Sequence, residues 1–293
     1  MGSRLNQKES HRLVRGFTVP TRPSAMLEAL KTQQVFVQNP QAVAAAVLQD
    51  VALAAQVLQA ANVQLTGYSR KVESIEVAMV LLGQDKLREI THELFLSVEI
   101  ARKESTMQKM RIKSVRAGRI LSWLSQELAT LSPGFLNGHL PGISPDEAYL
   151  LGMFHDCGQW VLAQRFADYG EVLAVERPEG QTLESLEEER YQTSHAALGA
   201  LLGEAWQWPK PLIYIVEAHH RLDAFAGRPV RERKYGVLHA MLVLTEWIEG
   251  DLLAWEWAQH EQHLQQLFAL NSMQIADLRA KALAAVPLTS GTD

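Results

Sequence analysis

Apolar positions recur three and four apart along most of the chain, which is the period of an amphipathic helix. Met26, Leu27 and Leu30 begin the pattern, and Val43, Ala44, Val47 and Leu48 continue it beyond a break at Asn39-Pro40. Asp50 has the side chain of an N-cap and precedes Leu53, Val57, Leu58 and Ala61. Gly67 to Ser69 reads as a turn, and Ser74-Ile75-Glu76-Val77 opens a further helix that Gly83 is expected to end. Leu131-Ser132-Pro133-Gly134 to Leu140-Pro141-Gly142 reads as a loop. The next helix has a strong start, because Ser144 can cap, Pro145 suits the first helical position and Glu147 follows three residues after the cap. Towards the C-terminus, Tyr235 to Ile248, Leu252 to Leu270 and Ile275 to Ala285 are apolar at helical spacing and carry Trp247, Trp255 and Trp257. No stretch shows sustained alternation of β-branched residues, so the expected architecture is all-α.

The punctuation suggests a division of the chain. Residues 1–18 are mixed and charged and read as a tail or a single docking helix. Residues 19–235 form a helical domain, with an N-terminal helical part over 19–100 and a second part over 101–235. Residues 236–293 form a C-terminal helical extension that closes the core or offers a self-association surface, with a frayed end from Val286. At 293 residues the chain can bury a sizeable core.

Composition narrows the function. The formal net charge is -5, which gives no electrostatic reason to expect nucleic acid or an anionic membrane as a partner. No run reaches the ~18 apolar residues of a membrane span and the N-terminal stretch lacks an apolar signal core, so a cytoplasmic location is expected. Cys157 is the single cysteine, which rules out an intramolecular disulfide and a cysteine-based zinc site.

The candidate chemistry centres on Phe154-His155-Asp156-Cys157-Gly158, an imidazole next to a carboxylate in apolar company. Imidazole nitrogen and carboxylate oxygen together suit a divalent first-row metal. Further candidates are His195, in Ser194-His195-Ala196-Ala197-Leu198-Gly199, and the pair His219 and His220 at the end of an apolar helix. A lone helical histidine is ordinarily a hydrogen-bonded structural ring, and spacing alone does not show that these four converge. Cys157 beside a histidine reads as a buried small hydrophobe before it reads as a nucleophile. Trp206 and Trp208, with Pro209-Lys210-Pro211, read as packing at a helix junction. The basic run from Arg102 to Lys113 and the run Arg228 to Lys234 read as solvated surface.

These residues carry a resemblance. Val19-Pro20 with Pro23, Leu48 to Leu53, Val57 to Asn62, Ser74 to Gly83, Leu151 to Gly158, Ser194 to Leu202 leading to Trp208-Pro209, and Glu217-Ala218-His219-His220 together resemble the HDOD domain. That family is a signalling-associated branch of the HD phosphohydrolase superfamily and is related to HD-GYP phosphodiesterases. The resemblance implies an all-helical HD-like domain over most of the chain. It also implies a ligand set of His155, Asp156, His195, His219 and His220 for a divalent metal such as Fe, Mn or Zn. The first histidine ligand of HD hydrolases falls near Lys113-Ser114, where Lys113 is a donor without a lone pair. Gln159 replaces the lysine usual after the His-Asp-x-Gly turn. Arg221 to Pro229 departs from the Gly-Tyr-Pro loop, and Gly236 to Leu242 offers no last aspartate ligand.

The expectation is therefore a vestigial site of His155, Asp156, His195, His219, His220 and Lys113 in a non-catalytic cytoplasmic signalling module. Such a module has no cofactor, or at most a divalent metal. Its partners are signalling proteins, a nucleotide-like ligand or a second copy of the chain through the C-terminal helices, with no membrane and no nucleic acid. The competing expectation is a metal-dependent phosphohydrolase or phosphodiesterase that acts on a nucleotide or cyclic nucleotide.

Overall fold

The computed structural model describes residues 13–14, 40–65, 71–97, 105–131, 143–221, 224–225 and 233–287. Outside this set lie the tail over 1–18 apart from Leu13 and Val14, the entry at Val19-Pro20 and Pro23, the turn at Gly67 to Ser69, most of the loop after Leu131, and most of Arg221 to Arg231. The described residues are helical and include no strand. The fold is all-α.

Among the described residues from Pro40 on, three helices come first: α1 (Pro40–Leu48), α2 (Val51–Gln64) and α3 (Ile75–Ser97). Asp50 caps α2 as its position implies, its Oδ1 accepting from Leu53 N at 3.1 Å. Asn62 then ties the next segment to α2, since its Oδ1 accepts from Val72 N at 2.7 Å. At Gly83 the backbone leaves helical geometry (φ 70, ψ 173), but helix resumes and α3 runs on to Ser97. Gly83 is a kink where the sequence suggested an end.

The long helix α4 (Ser105–Leu131) packs along α5 (Pro145–Phe154) more extensively than any other helix pair. Ser144 caps α5 by accepting from Glu147 N at 3.0 Å, with Pro145 in its first turn. Two glycines let α4 and α5 approach closely: a Cβ on Gly152 would lie 2.6 Å from Ala117 O, and one on Gly118 would lie 2.8 Å from Tyr149 O. This contact sets the distance from Lys113 to the end of α5.

The helix opened by Ser144 ends at the His-Asp pair. α5 ends at Phe154 and α6 (Cys157–Arg165) begins after Asp156, whose φ of -96 and ψ of 13 are not helical. The short helices α7 (Tyr169–Ala174) and α8 (Leu183–Tyr191) follow. Next come α9 (His195–Ala205), capped by Ser194, and α10 (Lys210–Ala218). α6 and α9 cross with their backbones almost touching, because a Cβ on Gly158 would lie 1.9 Å from His195 O and 2.7 Å from Gly199 N. Trp206 and Trp208 pack at the α9–α10 junction, with ring centroids 5.9 and 4.8 Å from that of Phe154.

α11 (Arg233–Glu249), α12 (Ala254–Phe268) and α13 (Ser272–Ala285) complete the chain. α11 is buried along most of its length and packs against α4, α5 and α10, so position 236, the expected start of an extension, lies inside a core helix. Lys234, assigned from sequence to a solvated run, instead pairs with Glu147 at 2.8 Å. Trp247 stacks on Trp257 at 4.2 Å, with the Arg279 guanidinium 4.9 Å from the centre of the Trp247 ring. The residue after α13 is held by Arg116, which pairs with Glu249 at 3.4 Å and donates from Nε to Val286 O at 3.3 Å. No single described helix is long and apolar enough to cross a membrane.

Two predictions follow from this packing. Gly158→Ala forces apart two backbones that have no flexible side chain between them, and should cost about 3 kcal/mol or more of stability, measured by urea denaturation. The second concerns Glu249, which burial pushes up from an ordinary 4.5 to about 7 despite the opposing charge of Arg116. Between those two values the folded chain holds a proton that the unfolded chain has released, so this group's contribution to stability falls as pH rises. Relative to Glu249→Gln, the wild type should lose up to roughly 3 kcal/mol between about pH 4.5 and pH 8. A constant difference between the two proteins across that range would contradict the prediction.

Candidate functional site

The break between α5 and α6 leaves Asp156 facing several elements at once. Its Oδ2 accepts from Lys113 Nζ of α4 at 2.8 Å and lies 3.3 Å from His155 Nε2. Its Oδ1 lies 3.5 Å from His195 Nε2 and 3.7 Å from His219 Nε2. Lys113 makes a second ion pair, at 3.1 Å, with Asp251 in the loop after α11. The structure thus brings together all six residues singled out from sequence, and places a lysine ammonium directly on the aspartate of the pair.

The histidine rings are oriented from behind. His155 donates Nδ1–H to Gly152 O and His219 donates Nδ1–H to Val216 O, both at 2.7 Å, each reaching back one turn along its own helix. His195 donates Nδ1–H to Glu187 Oε2 at 2.7 Å, and its backbone N–H donates to the same oxygen at 2.8 Å. The Nε2 atoms therefore point inward: His195 Nε2 is 3.3 Å from His219 Nε2 and 2.8 Å from His220 Nε2. His220 closes the cluster from its more exposed side. His239 of α11 steadies the end of α10 through Nε2, which lies 3.2 Å from both Ala218 O and His219 O.

Burial and charge act against each other throughout this cluster. Burial penalises the Asp156 carboxylate, yet His155 and Lys113 outweigh it and hold the group well below the usual carboxylate range. For Lys113, burial is likewise outweighed, by Asp156 and Asp251, and the ammonium is held above its ordinary range. Burial lowers His195, but the Glu187 carboxylate more than compensates and the ring rises to about 9. His219 falls to about 4 and His220 falls well below its ordinary value, both chiefly through burial. At neutral pH one proton therefore sits on His195, whose Nε2–H donates to His220. Burial also pushes the Cys157 thiol up, with Asp156 adding to the effect, so Cys157 is no activated nucleophile.

Glu246 of α11 is a residue that the sequence reading missed. Its Oε1 is 3.6 Å from His219 Nε2 and its Oε2 is 3.9 Å from His220 Nδ1, and neither oxygen has a hydrogen-bond partner among the described residues. Burial raises Glu246 well above the usual carboxylate range, and the charge of Asp156 adds to this. The signal for it was a single carboxylate inside the apolar run Val237 to Ile248. Glu187 and Asp251 were also missed. Glu187 sits among Glu184, Glu188 and Glu189 with nothing in the pattern to set it apart.

The donor set fits one divalent first-row cation. His195, His219 and His220 each offer a ligand atom, and these atoms lie within 4.8 Å of one another beside Asp156 Oδ1. Glu246, buried without a hydrogen-bond partner, faces the same point. The set does not fit a second cation, because the Lys113 ammonium occupies the other oxygen of Asp156.

The HDOD domain family model matches residues 19–222. An uncharacterized protein of Treponema pallidum (strain Nichols) is 24% identical over an alignment of 222 residues that covers 70% of this chain and 38% of that protein, so the match spans well under half of the relative's length. Among solved structures, the MmoQ response regulator from Methylococcus capsulatus str. Bath superposes with a TM-score of 0.63 at 22% identity, covering 91% of this chain and 99% of that one. A virulence factor from Campylobacter jejuni subsp. jejuni superposes with a TM-score of 0.55 at 17% identity, covering 96% of this chain and 97% of that one. At these identities the superpositions speak to fold alone, whereas the family model covers more than half of the residues: the chain belongs to the HDOD domain family.

Proposed function

We propose that this chain is a regulatory HDOD module that acts through protein contacts, that its histidine cluster holds one divalent cation, and that it does not hydrolyse phosphoesters. The observation that carries this reading is the Lys113–Asp156 ion pair at 2.8 Å. In an HD-type hydrolase the bound metal supplies Lewis-acid polarisation of the phosphoryl oxygen. The ammonium of Lys113 instead neutralises one side of Asp156 permanently and offers no lone pair to a metal. His155 is turned towards the same carboxylate oxygen, with its Nε2 3.3 Å away. What remains is the set of His195, His219, His220 and Asp156 Oδ1, with Glu246 behind it. The fold shared with a protein described as a response regulator is in keeping with a signalling role in the cytoplasm, with signalling proteins as partners.

The competing reading is a metal-dependent phosphohydrolase or phosphodiesterase acting on a nucleotide or cyclic nucleotide. The convergence of inward-facing Nε2 atoms is the feature that favours it. Manganese titration of protein purified without chelator separates the two. The expected result is binding of about one equivalent of Mn2+, with no turnover of bis(p-nitrophenyl) phosphate or of a cyclic dinucleotide. Manganese-dependent turnover that disappears in His155→Ala would overturn the regulatory reading.

A further inference from the structure

Glu187 lies at the centre of the α7–α8–α9 junction and is fully buried, with a relative exposure of 0%. A carboxylate in that position is costly unless its oxygens are filled. Three donors fill them: Tyr169 O–H of α7 on Oε1 at 2.5 Å, and His195 N–H and Nδ1–H on Oε2. Burial, together with the Glu187 charge, holds Tyr169 well above its ordinary value, so the phenol keeps its proton and donates. The hairpin that carries these groups is itself tied at its surface end, where Asp168 accepts from Arg190 Nε at 2.8 Å and from Tyr191 Oη at 3.1 Å. His155 and His219 take their Nδ1 acceptors from backbone carbonyls of their own helices. His195 alone of these three depends on a side chain from another element, and its Nε2 lies 3.3 Å from His219 Nε2 and 2.8 Å from His220 Nε2.

We infer that Glu187, held in turn by Tyr169, is the positioning residue for His195, and that the α7–α8 hairpin thereby sets the affinity of the histidine cluster for a divalent cation. The affinity part rests on the one-cation reading of the cluster; the positioning part does not. An imidazole free to turn about χ2 presents either nitrogen to the cluster. One that donates Nδ1–H to a fixed carboxylate presents only Nε2, and the carboxylate also raises its basicity as a donor to a cation. Outer acceptors of this kind ordinarily change metal affinity by about 10- to 100-fold when removed.

The test uses the full chain and two measurements. Without added metal, a long-range proton–nitrogen NMR spectrum of the imidazole rings should show His195 Nδ1–H as a downfield, carboxylate-bonded signal. Glu187→Gln keeps an acceptor oxygen and should retain a hydrogen-bonded Nδ1–H signal at a less downfield position, whereas Glu187→Ala should lose it. In a Co2+ titration followed by the visible absorption of the bound ion, affinity should fall about tenfold for Glu187→Gln and by up to about 100-fold for Glu187→Ala. Tyr169→Phe should lower it about threefold. Circular dichroism confirms that each variant is folded, and if Glu187→Ala does not fold, Glu187→Gln and Tyr169→Phe carry the test. Wild-type Co2+ affinity in folded Glu187 variants, or an unchanged ring signal in Glu187→Ala, overturns the inference. If wild type shows no saturable Co2+ binding while the ring signal still depends on Glu187, the one-cation reading and the affinity part both fall, and the positioning of His195 by Glu187 stands.

Discussion

The arrangement depends on where the charge of Asp156 is balanced. A carboxylate with most of its surface out of water costs several kcal/mol unless opposite charge and hydrogen bonds surround it. Asp156 meets that requirement with groups from four directions: Lys113 on α4, His155 beside it in the chain, His195 at the start of α9 and His219 at the end of α10. Each pairing fixes one helix terminus or helix face relative to the α5–α6 break. Removing Asp156 would therefore leave Lys113 with Asp251 and His195 with Glu187 as their remaining counter-charges, and the helices that present them would lose a common reference point.

That convergence is possible only because the backbones come closer than side chains would allow. Gly118 and Gly152 seat α5 against α4 at the height of Lys113, and Gly158 seats α6 against the first turn of α9. The second contact brings Cys157-Gly158 up to the His195 carbonyl, so the glycine of the His-Asp-x-Gly turn is explained by packing rather than by chemistry. α11 then closes the remaining side, bringing Glu246 to the cluster and His239 to the carbonyls that end α10.

Much of the helical framework was legible in the sequence because it is written in local terms. Asp50 and Ser144 announced helix starts through side-chain oxygens that cap regardless of tertiary context, and the apolar spacing identified the helices themselves. Gly83 was legible only as an irregularity, since a glycine at positive φ can bend a helix as readily as end it. The His-Asp pair was legible as a site, but its partners lie far away in sequence and carry no local mark. Lys113 could be placed at the site through the family resemblance, whereas its second partner Asp251 is 138 positions away and carries no local mark. Glu246 and Glu187 were hidden for opposite reasons: the first lies in a helix buried on nearly all sides, where periodicity no longer separates inside from outside, and the second in a run of glutamates that reads as solvated.

Lys113 also limits what the cluster can hold. Around Asp156 the structure gathers three further carboxylates, Glu187, Asp251 and Glu246, beside Lys113 and the His195 imidazole. A second divalent ion would have to occupy the oxygen that Lys113 already neutralises. The lysine fills that place as a fixed monovalent charge, without a lone pair or a coordination position to offer.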